Sequence, residues 1–137
     1  ARDTLYGAHI KAKEQQTGNL SDVLFEDIAC EGIRSAVVEV CTGRQNCYHP
    51  PISHPSQTSV RVSDVTFQRI RMTGHPDERL CCPATAPARF ECSSQYPCTN
   101  ITLKDFYANV ALGCTVRNTY GHSENVYPDS CEIPGTR

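Results

Sequence analysis

The chain has 137 residues, of which 39% are hydrophobic and 20% are charged, and this composition is typical of one globular domain with one core. Its formal net charge of −2 and the lack of any Lys/Arg run exclude a nucleic acid partner held by bulk charge. No apolar stretch approaches the roughly 20 residues that span a bilayer, and no segment is both amphipathic and basic. We therefore expect no membrane partner.

The chain repeats one seven-residue phrase three times. The copies occupy residues 22–28, 64–70 and 100–106, with apolar side chains at the second, fourth and seventh positions. This spacing is strand alternation followed by a bend, and no helical period fits it.

A second, shorter phrase accompanies the first at residues 8–12, 36–40, 88–92 and 114–117. Side chains alternate faces along a strand, so its members divide into an inward apolar set and an outward charged set. We expect the inward set to be Ile10, Val38, Phe90 and Val116. We expect the outward set to be Lys11, Glu39, Glu91 and Arg117.

Strands this short cannot bury a core alone, so neighbouring units must stack and share one. The pattern predicts an all-β fold, a right-handed parallel β-helix with four visible rungs in a single segment, residues 1–137. The alternative is a β-sandwich, which also has many short strands but rarely repeats two phrases in register.

The loops and ends are also predicted. Two proline-rich insertions, 42–58 and 73–87, indicate loops, and residues 118–137 lose the repeat and are expected to form a disulfide-bonded terminal cap. The other end begins with Ala1 inside a strand-forming region, so we expect a longer parent protein. Its N-terminal part, or another chain, is the partner expected to cover the first rung.

Nine cysteines at short, loop-closing spacings indicate an oxidising compartment and a secreted, extracellular or cell-wall protein. The spacing favours the pairs Cys92 with Cys98, Cys114 with Cys131, and Cys41 with Cys47. Cys30 is predicted to be a core thiol, and the adjacent Cys81 and Cys82 cannot easily pair with each other.

Two sequons, at Asn19 and Asn100, predict N-glycosylation at the surface. Zinc bound by Cys47, His49 and His54 is the alternative to a purely disulfide-bonded chain. It lacks a Cys-x-x-Cys pair and an obvious fourth ligand, so we expect no metal and no cofactor.

A family resemblance rests on the repeated phrases together with residues 7–11, 90–92, 97–101, Cys114 and 128–131. The chain resembles the polygalacturonases, glycoside hydrolase family 28. The resemblance implies a parallel β-helix and covers nearly the whole chain as the C-terminal part of such an enzyme. The family's Arg-Ile-Lys signature corresponds to His9-Ile10-Lys11, which makes His9 and Lys11 the expected substrate-binding residues for an acidic polysaccharide.

The resemblance also implies that catalytic carboxylates lie on upstream strands. This chain has no Asn-Thr-Asp, Asp-Asp or Gly-His-Gly motif, so alone it is expected to supply a wall of the binding cleft without catalytic residues. The alternative role of Lys11 is a ladder salt bridge to Glu39 one rung away.

Two other functions remain open from the sequence. One is a non-catalytic structural or adhesive β-helix glycoprotein of the cell wall or extracellular surface, which the replacement of arginine by His9 favours. The other is a stand-alone carbohydrate-binding module, which would leave its first rung bare.

Overall fold

The computed structural model describes residues 6–12, 16–33, 35–42, 59–73, 86–109 and 113–135. Within these ranges the chain forms nine β-strands and one short 3₁₀ helix, Asp129–Cys131. The strands are β1 (Tyr6–Lys11), β2 (Thr17–Leu20), β3 (Val23–Glu31), β4 (Ala36–Cys41), β5 (Ser59–Thr73), β6 (Ala86–Glu91), β7 (Cys98–Ala108), β8 (Thr115–Arg117) and β9 (Thr119–Tyr127).

The strands stack into two parallel sheets. One has the order β1-β4-β6-β8; the other has the order β2-β5-β7-β9, with β3 also paired to β5. Every recorded pairing is parallel and joins a strand to its counterpart one rung further along the chain. Four rungs result: β1–β3, β4–β5, β6–β7 and β8–β9. The predicted parallel β-helix is confirmed.

The first position of the long phrase is a bend. Asp22, Asp64 and Asn100 have φ angles of 58°, 53° and 50°, in the left-handed region. Asp and Asn tolerate this region because their short polar side chains bond locally. The side-chain amide of Asn100 donates to a carboxylate oxygen of Asp64, which links the bends of adjacent rungs.

A second line of bends occupies the sixth position of the three copies and the corresponding position of β9. Asp27, Arg69, Asp105 and Asn125 have φ angles of 56°, 52°, 50° and 52°. Asn125 Nδ2 donates to Asp105 Oδ1 at 2.9 Å, and Arg69 Nε donates to Asp27 Oδ1 at 2.6 Å. At these two lines of bends, polar side chains of adjacent rungs therefore bond to one another outside the core.

Inside, apolar side chains stack in columns. The register aligns Phe25 with Phe67, whose rings stack at 5.1 Å, and Phe90 packs edge-on against Phe67 at 6.0 Å. Phe67 and Phe90 are fully buried, and burial of such a side chain contributes about 1.5–3 kcal/mol. Of the residues expected to point inward, Val38 and Phe90 are fully buried, and Ile10 and Val116 pack partly buried against the core.

The C-terminal residues close the last rung. The backbone N–H of Gly121 donates to the carbonyl of Pro134 at 2.8 Å, and that of Ile133 donates to Ser123 Oγ at 2.7 Å. Cys131 is joined to Cys114 by a disulfide and is fully buried. These contacts give Gly121 and Ser123 of β9 hydrogen-bond partners in the C-terminal residues.

Two predicted segments have different bounds in the structure. The sequence predicts a cap that begins at residue 118, but residues 119–127 form β9, which pairs with β7 as a further strand of the repeat. Among the described residues, only 128–135 lie outside the repeat at this end. The second insertion is shorter than 73–87, because Thr73 ends β5 and Ala86 begins β6. The interior of both insertions lies outside the described residues.

Candidate functional site

The outward face of β1 carries the predicted binding pair. Ile10 packs against the core, so alternation places His9 and Lys11 on the opposite face. The register sets His9 opposite Glu39 and Lys11 opposite Cys41. The register thus places His9, rather than Lys11, directly opposite Glu39, and the ladder bridge between Lys11 and Glu39 stays a prediction.

Glu39 is the centre of a buried polar cluster on this face. Its Oε1 lies 3.2 Å from His9 Nε2, and its Oε2 lies 3.0 Å from Nε of Arg89 on the next rung. Neither His9 Nε2 nor Arg89 Nε forms a hydrogen bond in these contacts, and the contact of His9 is an ion pair only when the imidazole is protonated. The His9 ring also stacks on Tyr6 at 4.0 Å, and Arg89 donates to Ser35 Oγ.

Two outward side chains are more buried than alternation predicts. Glu39 is 3% exposed and Glu91 is 7% exposed, although both occupy outward positions, whereas Lys11 and Arg117 are exposed as expected. Alternation assigns a face to each side chain but does not say whether other groups cover that face. Glu39 and Glu91 therefore occupy outward positions, as expected, but are covered by neighbouring groups.

This burial shapes the electrostatics of the cluster. Desolvation, together with the positive charges of Lys11 and Arg89, lowers the pKa of His9 from its usual 6.5. Desolvation raises the pKa of Glu39 above 4.5, with Glu91 adding to the effect and Arg89 and Lys11 opposing it. His9 is therefore mainly neutral at neutral pH.

Sequence reasoning missed the part that Arg89 takes in this cluster. It treated Glu39 only as a partner for Lys11 and gave Arg89 no role. The signal that identifies the cluster is the strand register, in which His9, Glu39 and Arg89 occupy one column of three successive rungs.

The cysteines follow the predicted spacing where the structure describes them. Disulfides join Cys92 to Cys98 and Cys114 to Cys131, and Cys30 is a buried free thiol. Cys41 is disulfide-bonded, but its predicted partner Cys47 lies outside the described residues, as do Cys81 and Cys82.

The remaining predicted sites divide between described and undescribed residues. Asn19 and Asn100 are both exposed, as N-glycosylation requires, and their modification stays a prediction. The alternative zinc ligands Cys47, His49 and His54 lie outside the described residues. In the part of the chain that the structure describes, no helix is long and apolar enough to cross a membrane.

Comparison with known families shows which family this chain belongs to. The sequence model of glycosyl hydrolases family 28 matches residues 1–128. The chain belongs to this family. Among curated proteins, this family 28 chain is 25% identical over 95% of its length to a polygalacturonase of Juniperus ashei. It is 28% identical over 93% of its length to a polygalacturonase of Prunus persica.

A probable polygalacturonase of Arabidopsis thaliana is 25% identical over 94% of this family 28 chain. The chain spans 24%, 31% and 28% of the lengths of these three relatives, respectively. No solved structure matches the chain significantly. The family is thus shown, while the roles of His9 and Lys11 stay predictions.

Proposed function

We propose that the chain is the C-terminal segment of a secreted, polygalacturonase-like hydrolase and forms part of the wall that binds an acidic, galacturonan-type polysaccharide. The observation that carries this proposal is the match of family 28 over residues 1–128 of a chain that spans a quarter to a third of its relatives. His9 and Lys11, side by side on the outward face of β1, are the proposed binding residues.

The binding chemistry follows from charge. The Lys11 ammonium is exposed and can form a charge-assisted hydrogen bond to a uronate carboxylate. His9 adds a second cation only when it is protonated, and its lowered pKa moves that event to more acidic pH. Binding at this face is therefore expected to strengthen as the pH falls, for as long as the uronate stays ionised.

Catalysis in this proposal belongs to upstream strands. Inverting hydrolysis needs one carboxylic acid to protonate the glycosidic oxygen and a carboxylate to activate water. The chain lacks the family motifs that would supply them. The proposed partner is the N-terminal part of the same β-helix, which would also pair with β1 at the end of its sheet and cover the first rung.

Secretion is supported by the cysteine chemistry. The disulfides Cys92–Cys98 and Cys114–Cys131 suit an oxidising compartment. The exposed sequons at Asn19 and Asn100 are consistent with passage through a secretory pathway. Mass spectrometry of the protein isolated from the extracellular fraction, before and after N-glycosidase treatment, tests both points. An unmodified protein confined to the cytosol would contradict them.

Turnover of polygalacturonate by the complete protein tests the proposed function. The expected result is release of galacturonate oligomers with inverted anomeric configuration, followed by proton NMR during the reaction. Absence of cleavage at every pH from acidic to neutral would contradict hydrolysis. A matched reaction with a neutral glucan controls for non-specific glycosidase activity.

A second candidate is a structural or adhesive β-helix glycoprotein without catalysis. It is favoured by one observation, the engagement of His9 by its own chain through the Tyr6 ring and Glu39. The sequence upstream of residue 1 discriminates between the two candidates. Three aspartates at consecutive strand ends would support the hydrolase, and their absence would support the scaffold.

A further inference from the structure

A polar cleft lies on the other sheet, separate from the His9–Lys11 face. Its volume is about 490 Å³, and it crosses three successive rungs: Ser21 comes from the first, Arg61 and Ser63 from the second, and Tyr96 from the third. Adjacent strands lie about 4.8 Å apart, so the cleft is about 10 Å long, enough for a short saccharide segment.

The lining of this cleft holds one cationic side chain, Arg61, and one acidic side chain, Asp64. The Arg61 guanidinium lies over the Tyr96 ring, 5.1 Å from the centroid, and within the described residues Arg61 forms no salt bridge. Asp64, the acidic residue of the lining, already accepts a hydrogen bond from the side-chain amide of Asn100. Stacking on a ring holds a guanidinium in place and leaves its hydrogen-bond fork available.

We propose that the Arg61–Tyr96 cleft is a second saccharide site, which binds a uronate residue of an acidic polysaccharide outside the His9–Lys11 face. The planar fork of Arg61 matches a carboxylate in a bidentate geometry. The hydroxyls of Ser21 and Ser63 and the phenol of Tyr96 offer hydrogen bonds to sugar hydroxyls. The choice of a uronate polymer rests on the proposed function.

Asn19 places a predicted modification at the rim of this site. It lines the cleft, and the strand register sets it directly opposite Arg61 on the neighbouring rung. A glycan on Asn19 would therefore stand next to the guanidinium and restrict access to it. The binding measurements accordingly use the complete protein carrying Asn19→Gln as the reference.

The chain contains a matched control for Arg61. Arg71 also lies over a tyrosine ring, that of Tyr107, at 5.4 Å, but neither residue lines the cleft. Affinity electrophoresis through gels containing polygalacturonate should show about a tenfold loss of apparent affinity for Arg61→Ala, as expected for one charge-assisted contact. Arg71→Ala should bind like the reference protein.

Further variants separate a local effect from a folding defect. Arg61→Lys keeps the charge but loses the fork, so an intermediate affinity is expected. Each variant must retain the thermal unfolding midpoint and the rate of trigalacturonate turnover of the reference, since this short substrate probes only the main cleft. If Arg61→Ala and Arg71→Ala lose equal apparent affinity for polygalacturonate, the loss reflects overall surface charge, and the second site is overturned.

The proposal and the proposed function fail in different ways. If the reference protein binds polygalacturonate and Arg61→Ala binds it equally well, the second site is overturned and the proposed function stands. If the reference protein neither binds nor cleaves polygalacturonate, the proposed function is overturned, and with it a uronate site at Arg61.

Discussion

At the scale of single residues, Glu39 influences the charge of the outward face of β1. Its carboxylate lies between His9 and Arg89, so the negative charge it carries when ionised offsets the guanidinium. An arginine at position 9 would add a permanent cation to this column, whereas His9 adds one only in acid. Lys11 is exposed and lies opposite Cys41, and its role in holding a carboxylate is a prediction.

Lys11 provides the first prediction. Lys11→Ala should weaken uronate binding about tenfold, since one charge-assisted hydrogen bond is lost, while folding stays intact. Calorimetric titration of the complete protein with a galacturonate oligomer measures this. Lys104→Ala is the control, because Lys104 lies on the other sheet beside Glu124. Equal affinity of Lys11→Ala and wild type would leave Lys11 without a binding role.

The burial of His9 predicts a pH dependence of stability. Its folded-state pKa lies below the usual 6.5, so folding disfavours the protonated form. The stability that His9 contributes is complete above 6.5 and is lost as the pH falls through the folded pKa. Glu39 acts in the opposite direction: its pKa is raised above 4.5, so its contribution is complete below 4.5 and is lost as the pH rises through the folded pKa.

Urea unfolding at a series of pH values tests this assignment. His9→Gln should remove part of the stability loss that wild type shows below pH 6.5, because the variant has no imidazole to protonate. The exposed His122→Gln serves as the control for loss of a histidine elsewhere. Identical pH profiles for wild type and His9→Gln would refute the assigned role of burial.

At the scale of elements, the long phrase specifies a strand, a bend and a second strand segment. Its Asp and Asn residues adopt left-handed backbone at fixed positions, and its Val, Ile and Phe residues fill the columns between the bends. This much follows from sequence, because alternation and bend chemistry are local properties. The register of the shorter phrase does not follow, since a shift by two residues keeps every side chain on its face.

The close pairing of β7 and β9 provides a prediction at this scale. A Cβ atom on Gly121 would clash with the carbonyl oxygen of Ile101, so alanine there must displace a strand. Gly121→Ala should lower the free energy of unfolding by about 3 kcal/mol. Gly113→Ala, whose nearest contact would be Ser130 Oγ at 3.5 Å, should change it by less than about 0.5 kcal/mol.

Denaturant unfolding of the two glycine variants, followed by far-ultraviolet circular dichroism, provides the comparison. A Gly121→Ala protein as stable as Gly113→Ala would show that β9 is not held at the distance described here.

At the scale of the whole molecule, the described residues include a cover for one end of the stack. The last rung is closed by residues 128–135, which bond to Gly121 and Ser123 and are joined to Cys114 by a disulfide. The first strand, β1, stands at the end of its sheet. A solenoid requires a cover at each end, and the proposed N-terminal partner would supply the cover beside β1.

The cap disulfide provides the prediction at this scale. Cys114 and Cys131 are 17 residues apart, so replacing both with alanine should cost about 3 kcal/mol by loss of loop closure in the unfolded chain. Thermal unfolding measures the cost, and limited proteolysis should show faster cleavage after residue 127. Unchanged stability together with unchanged proteolysis would mean that the hydrogen bonds of the cap suffice without the disulfide.

The sequence by itself determined the period, the inward and outward faces and the chemistry of the bends, because these depend on residues close together in the chain. It also indicated the pairs Cys92–Cys98 and Cys114–Cys131 through short spacings. Only the tertiary structure decided which outward groups meet. The His9–Glu39–Arg89 column and the Arg61–Tyr96 cleft join residues from different rungs, and the register that aligns them depends on contacts between distant parts of the chain.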